Sequence, residues 1–247
     1  MKTSNNTVLI IGGSAGIGLE MAKLFAAKGN HVIITGRSKE RLELAAAQLG
    51  NVSIIVSDAT KENDVKQLAE KLNKEFPALN ILINNAAVAH LYEPGNNESA
   101  FEKASDEMFA NYLSIVRLNE YLLPLLRKQA DAAIVNVSSI VAFVPSKRMP
   151  GYAASKAALH SYSQSLRLSL QGNGNVKVFE LMPPLVNTEF SKEIGGSNGI
   201  APSVVAADLL DAIENNVYEV HVGNTANMYE LFRQSPTDAL AAMNAQR

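Results

Sequence analysis

The sequence has no cysteine and no tryptophan. Without cysteine there is no disulfide, no thiolate nucleophile and no cysteine-ligated zinc. The lack also fits a reducing compartment. Neither sign of charge dominates: 22 Lys and Arg stand against 24 Asp and Glu, a formal net charge of −2. That balance leaves no electrostatic footprint for nucleic acid or an anionic membrane. No run approaches the roughly 18 apolar residues of a membrane span. The segment Val8–Ile11 is too short for the core of a signal peptide and no small-residue cleavage site follows it. The expectation is a soluble, cytoplasmic protein with no nucleic-acid and no membrane partner. His31, His90, His160 and His221 show no metal-ligand spacing, so no metal is expected.

What is present suffices for a large core. The chain has 247 residues, 47% of them hydrophobic. That length suits one α/β domain over residues 1–247 better than two ordinary domains. Apolar, β-rich runs occupy 7–11, 31–35, 52–57, 80–84, 132–137, 176–181 and 218–222. Most are continuous rather than alternating in polarity, as strands buried on both faces are. Helical patterns lie at 16–28, 39–49, 61–76, 104–128, 152–170, 202–215 and near 237–244. Strand–helix alternation predicts a single Rossmann-like, doubly wound parallel sheet of about seven strands flanked by helices. Gly, Asn and Ser gather at 95–99 and 195–199, and ligands in such sheets bind at the carboxyl ends of the strands. Residues 188–202 are expected to form a lid.

After the first strand the chain reads Gly12-Gly13-Ser14-Ala15-Gly16-Ile17-Gly18. A glycine-rich turn into a helix lets backbone N–H groups approach a pyrophosphate, and the helix N-terminus adds positive potential. The plain alternative is a tight turn with no ligand. The spacing is G-x-x-x-G-x-G, not the Rossmann G-x-G-x-x-G. The second strand ends in Gly36-Arg37-Ser38. NAD-selective domains place a carboxylate near Gly36 to bond the ribose 2′-hydroxyl. Here Arg37 can meet a 2′-phosphate, with Ser38 as a further donor. NADP(H) is therefore expected over NAD(H). Arg37 as an ordinary solvated residue is the plainer alternative.

The glycine spacing resembles that of the short-chain dehydrogenase/reductase family, and other motifs follow in the order that family has them. Asp58 closes the third strand where the family contacts adenine, though it also suits a turn or helix cap. Asn84-Asn85-Ala86-Ala87 resembles N-N-A-G, and Pro183-Pro184-Leu185-Val186-Asn187-Thr188 resembles P-G-x-V-x-T. Tyr152 and Lys156 form Y-x-x-x-K, Ser139 precedes Tyr152 by the family's interval, and Asn111 sits where the family carries its Asn. The resemblance runs from Val8 to about Val222 and is closest to a group of poorly characterised bacterial oxidoreductases. It implies cofactor contacts at Gly12, Ser14, Gly16, Ile17, Gly18, Arg37, Ser38, Asp58, Asn85, Ala86, Tyr152, Lys156, Pro183, Val186 and Thr188. Ile11 stands for the family's Thr, and Ala87 and Pro184 stand for Gly. Pro184 also fixes φ and removes an N–H.

The catalytic set implied is Tyr152, Lys156, Ser139 and Asn111. Hydride delivery to a carbonyl builds negative charge on oxygen, which then takes a proton. Tyr152 would act as general acid, with Lys156 lowering its ordinary pKa of about 10 and orienting the ribose. Ser139 would donate to the oxyanion, and Asn111 would hold a relay water. Local backbone bonding with helix distortion is the plain alternative for Asn111. The substrate would be a small-molecule carbonyl or alcohol. Its pocket is expected to be bordered by Val88, Leu91, Tyr92, Ile140, Val141, Phe143, Met149, Phe190 and Ile194, a mostly apolar set. Helices 104–128 and 152–170 match the family's subunit contact, so a homodimer or homotetramer is expected. A non-catalytic NADPH-binding sensor on the same scaffold is the competing possibility.

Overall fold

The computed structural model describes residues 1–96, 99–172 and 174–245. Its core is one parallel sheet of seven strands: β1 (Thr7–Ile11), β2 (His31–Gly36), β3 (Val52–Val56), β4 (Leu79–Asn84), β5 (Ala132–Val137), β6 (Val176–Met182) and β7 (Glu219–His221). The spatial order is β3-β2-β1-β4-β5-β6-β7. The chain winds outward from β1 in one direction and from β4 in the other. At that switch point the carboxyl ends of β1 and β4 diverge from their connections and leave a crevice.

Helices cover both faces. One face holds α1 (Gly16–Ala27), α2 (Lys39–Ala46) and α7 (Pro202–Asn215). The other holds α3 (Glu62–Glu75), α5 (Ser114–Leu126) and α6 (Pro150–Gln171). The pleat sorts side chains between the two cores. Val8 and Ile10 pack with Met21, Phe25 and Leu209, while Leu9 and Ile11 pack with Leu68, Leu118 and Leu122. Both sides being apolar is why the strands read as continuous hydrophobic runs. Among the described residues no helix is long and apolar enough to cross a membrane, and no group of three or more His, Asp or Glu is placed to hold a metal ion.

Two elements differ from the sequence pattern. The helix expected over 104–128 starts earlier, as α4 (Ala100–Met108), and is interrupted by a π-helical turn, Phe109–Leu113, before α5. The pattern survives a π turn because the insertion adds a residue without removing the apolar stripe. Beyond β7 lies α8 (Asn224–Gln234), which the pattern missed, followed by α9 (Pro236–Asn244). Thr225 is the buried residue of α8, so that helix carries little of the apolar periodicity by which helices are found. Part of the loop expected at 95–99, residues 97 and 98, lies outside the described residues.

A polar brace crosses the middle of the sheet. Asn84 Nδ2 donates to Asn136 Oδ1 (2.9 Å) and Asn119 Oδ1 (3.2 Å), and Asn136 Nδ2 donates to Ser163 Oγ (2.9 Å). Each link joins a strand to its neighbour or to the helix above it. Removing one member leaves buried donors and acceptors without partners. Asn136→Ala is expected to lower unfolding free energy by about 1–3 kcal/mol, read as a fall in urea midpoint at constant slope.

Candidate active site

The crevice at the switch point opens into a cleft of about 890 Å³ along the carboxyl edge of the sheet. Its first wall is the turn between β1 and α1. Gly12 and Gly13 both donate their N–H to Thr35 O, at 3.0 and 3.1 Å. Gly12 has φ +79°, and a Cβ there would lie 3.0 Å from Ala86 Cα. Asn85 donates from Nδ2 to Gly12 O at 2.8 Å. This bond pins the turn although Ile11 offers no hydroxyl. Gly12, Ser14, Gly16 and Ile17 line the cleft. Gly18 does not: it faces the back of the turn, where a Cβ would lie 2.1 Å from Gly12 O. The missing side chain there lets α1 approach β1 closely. No side chain caps the start of α1, so its first N–H groups are left to a ligand or solvent.

The far end of the cleft is built at β2 and β3. Gly36, Arg37, Ser38, Ser57 and Asp58 line it. Ser38 is also the N-cap of α2, accepting from Arg41 N and donating to Glu40 Oε2 (2.9 Å). Asp58 accepts from Thr60 N (3.0 Å) and Thr60 Oγ1 (2.7 Å). Burial pushes its carboxyl up, but the Thr60 bonds and the field of Arg37 outweigh that and hold it below the usual range. Asp58 thus builds its turn and faces the cleft as well. Sequence reasoning passed over Arg41, in the first turn of α2. It lines the same end and pairs across the mouth with Glu189 at 3.0 Å. A second arginine four residues after Arg37, in the first turn of α2, was the available signal.

At the centre of the cleft three predicted residues meet. Ser139 follows β5 with extended backbone and caps a 3₁₀ turn, accepting from Val141 N at 3.3 Å. Its neighbour Ser138 points away and donates to Glu180 at 2.5 Å. Tyr152 and Lys156 project from the first turns of α6, with Lys156 Nζ 5.5 Å from the Tyr152 ring centroid. Lys156 is 1% exposed and donates to Val137 O at 2.8 Å. Burial lowers its pKa to about 7, against an upward pull from Glu180. Tyr152 departs from expectation. Burial pushes its phenol up from the ordinary value, opposed by its hydrogen bond with Ser139 and helped by the field of Glu107. With Lys156 turned to Val137, desolvation of the phenolate dominates.

Asn111 lies in the π-helical turn and is fully buried. Its Oδ1 accepts from Val88 N (2.8 Å), while Nδ2 donates to Val88 O (2.8 Å) and Ser155 Oγ (2.9 Å). The side chain ties the segment leaving β4 to the start of α6.

The remaining wall comes from the chain after β6. Pro183, Pro184, Val186 and Thr188 line the cleft. Thr188 reaches within 3.2 Å of the Cβ position of Gly16, directly across from the glycine turn. Val186 O accepts from Ser191 Oγ, and Ile200 N donates to Leu185 O at 3.0 Å. Segment 188–202 is therefore a folded strap of two 3₁₀ turns. Ala87 has no positive φ, so its methyl costs nothing there. Of the expected pocket border, Val88, Ile140, Val141, Met149, Phe190 and Ile194 face the cleft. Leu91, Tyr92 and Phe143 do not, and Phe143 packs against His221 and Tyr229 instead. Met228 of α8 and Met243 of α9 complete the wall.

Comparison with known proteins gives the following. The model of the family described as short chain dehydrogenase matches residues 6–207. The uncharacterised oxidoreductase DltE of Bacillus subtilis (strain 168) is 36% identical, over 100% of this chain and 99% of that protein. A short chain dehydrogenase from Burkholderia cenocepacia J2315, solved in complex with NADP, has a TM-score of 0.87 at 25% identity, with both chains covered in full. A short chain dehydrogenase/reductase from Burkholderia phymatum, solved with NAD, has the same TM-score at 19% identity, over 100% of this chain and 98% of that one, and shares the fold.

The buried ammonium has a thermodynamic signature. Below about pH 7 Lys156 is charged in both folded and unfolded chains, and the folded state bears the burial penalty. Between there and the ordinary 10.5 the folded chain sheds a proton that the unfolded chain keeps, so stability rises with pH. Lys156→Met removes this dependence. Relative to the parent, the variant's stability is expected to fall by on the order of 2–3 kcal/mol between pH 6 and pH 9. Paired denaturant titrations at the two pH values measure it, and a constant gap would count against a charged, buried Lys156.

Proposed function

The chain belongs to the short chain dehydrogenase family, and we propose that it transfers hydride between NADP(H) and a ketone, aldehyde or secondary alcohol. The observation that carries this is the meeting of Ser139, Tyr152 and Lys156 in one cleft with the glycine turn.

The cleft suits a dinucleotide on features of its own. The turn at Gly12 leaves no space for a side chain, the α1 N-terminus has no side-chain cap, and the buried Ser57 Oγ has no partner among the described residues. The backbone at Ser14, Gly16 and Ile17 would hold the pyrophosphate. Asp58 would meet the adenine, Asn85 and Ala86 would border a ribose, and Pro183, Val186 and Thr188 would border the nicotinamide. When bound, the nicotinamide supplies or accepts the hydride.

Tyr152 then gives the proton to the carbonyl oxygen in reduction and takes it back in oxidation. A phenol held above its ordinary pKa stays protonated through the neutral range, which suits a resting acid. The phenolate left behind needs a nearby positive charge, and Lys156 is the ammonium that can supply it. Lys156 would also bond the nicotinamide ribose, exchanging its contact with Val137 O. Ser139 donates to the substrate oxygen and aligns it with Tyr152. Asn111 holds Val88 and Ser155 in place, and a relay water beside it would have to coexist with those bonds.

NADP(H) is favoured over NAD(H) by Gly36, which offers no carboxylate against a 2′-phosphate, and by two arginines, Arg37 and Arg41, at the same end. The apolar wall of Val88, Met149, Phe190 and Met243 favours a hydrophobic or small neutral substrate over a phosphorylated sugar. The strap at 188–202 acts as a lid within a single domain. Exposed Phe101, Leu113 and Leu168 favour a homodimer or homotetramer built on α4, α5 and α6. A chain without cysteine suits the cytoplasm.

Tyr152→Phe should keep NADPH binding, followed by nicotinamide fluorescence, while turnover on a carbonyl panel falls about 10²–10⁴-fold. Tight NADPH binding by a parent that turns over no member of that panel would replace this proposal with a sensor role. Gly36→Asp combined with Arg37→Ile should move the preference towards NADH by a factor of roughly 10 or more in kcat/KM. Unchanged selectivity would refute the NADP(H) assignment.

A further inference from the structure

One buried carboxyl near the cleft has no part in the chemistry above. Glu180 of β6 is 0% exposed. In the sheet it lies opposite Asn136 of β5 and Glu219 of β7, and the pleat turns it with Val178 towards α6. Both of its oxygens are engaged: Oε1 accepts from Ser138 Oγ at 2.5 Å, and Oε2 lies 2.8 Å from His160 Nδ1. His160 follows Lys156 by one turn of α6, on the same face. Lys156 Nζ bonds to the carbonyl of Val137, the residue just before Ser138. The carboxyl and the ammonium thus hold adjacent residues at the end of β5, both out of water.

A buried cation with no opposing charge is costly. Among the described residues Glu180 is the charged group whose field acts on Lys156. The sequence around it, Phe179-Glu180-Leu181, is apolar on either side, so the carboxyl is not there for solubility. Its outer partner, unlike the buried Ser138, reaches solvent. The His160 side chain is 21% exposed, so it can exchange protons with solvent.

We propose that Glu180 is a positioning residue for hydride transfer: it is the counter-charge that keeps Lys156 protonated behind Tyr152, and His160 shares that carboxylate from the solvent side. The proposal rests on Tyr152 and Lys156 acting as set out above. Its hydrogen bond to Glu180 raises the His160 pKa despite burial. When His160 is protonated it competes with Lys156 for the same negative charge. When it loses that proton, the hold on Lys156 strengthens. Other charged and titratable groups facing the cluster are Arg167 on α6, Glu219 and His221 on β7, and Glu230 on α8. Arg167 and Glu219 are paired with each other at 2.9 Å, so they contribute little net field. Burial keeps His221 neutral-leaning, with its pKa lowered.

The test is NMR of the chain carrying [ε-¹³C]lysine, with the Lys156 signal identified by its loss in Lys156→Met. In Glu180→Gln, which keeps the shape and the partners but not the charge, the Lys156 titration midpoint should fall by one pH unit or more, a tenfold change in proton affinity. In His160→Asn, which keeps a donor but no charge, the midpoint should rise. An unmoved midpoint in Glu180→Gln overturns the proposal, and so does an unmoved or lowered one in His160→Asn. The second variant decides the matter if the first fails to fold. In carbonyl reduction, the alkaline limb of the kcat/KM profile should move to lower pH in Glu180→Gln by the same interval, whereas a merely structural loss would lower the rate equally at every pH. A parent that shows the lysine shifts but no turnover on any carbonyl would refute hydride transfer while leaving the counter-charge in place, so the two failures are separable.

Discussion

Lys156 brings an ammonium to a point where 1% of its surface meets solvent, and the surrounding structure is arranged around that charge. The end of β5 supplies a carbonyl at 2.8 Å, and the neighbouring strand supplies a carboxyl held by Ser138 and His160. The helix that carries Lys156 carries Tyr152 one turn earlier, so placing the charge also places the phenol. Water would screen the ammonium and make it an ordinary surface lysine. Excluding water makes it a perturbed one, with enough field to act on a neighbour a few ångströms away. Burial acts on Tyr152 as well, in the opposite direction: it opposes ionisation of the phenol. The site holds a cation that burial discourages beside an acid that burial keeps protonated.

The second constraint is close approach at the glycine turn. Backbone replaces side chain along the contact between β1, α1 and the end of β4. Asn85 reaches into the space this creates and bonds Gly12 O. Here the departure at Ile11 loses its importance, since the turn is already held from β2 by Thr35 O and from β4 by Asn85. Pro184 is absorbed in a similar way. The strap after β6 is fixed by Ser191, Leu185 and Ile200, so the missing N–H of Pro184 is not what holds it.

Most of the sheet was legible because its strands are buried on both faces. A run such as Val8-Leu9-Ile10-Ile11 has few other uses, and the strand–helix alternation then leaves few topologies. The glycine turn, Arg37 and the Ser139–Tyr152–Lys156 set were legible through fixed spacing at strand ends and along a helix. Other features carried no such periodic signal. The π turn at Phe109–Leu113 keeps the apolar stripe of the helix around it. Helix α8 buries mainly Thr225, and it reaches the cleft by covering Phe143 and β7 rather than by showing a strong stripe of its own. Arg41 looked like any exposed helix residue until the strap brought Glu189 to it.

The sequence by itself determined which residues could meet. Local spacing and hydrophobic period depend on neighbours along the chain, and those are written in order. They were enough for the family, the doubly wound sheet, and the placing of Ser139, Tyr152 and Lys156 at one edge. Only the tertiary structure decided how those groups are charged and which others join them. Glu180 is distant from Lys156 in sequence; the β5–β6 register sets it opposite Asn136, where it bonds Ser138, next to the Val137 that Lys156 bonds. The exclusion of water there depends on every element packed around it. Electrostatics in a protein is set by distance and burial in three dimensions, and neither can be counted along a chain.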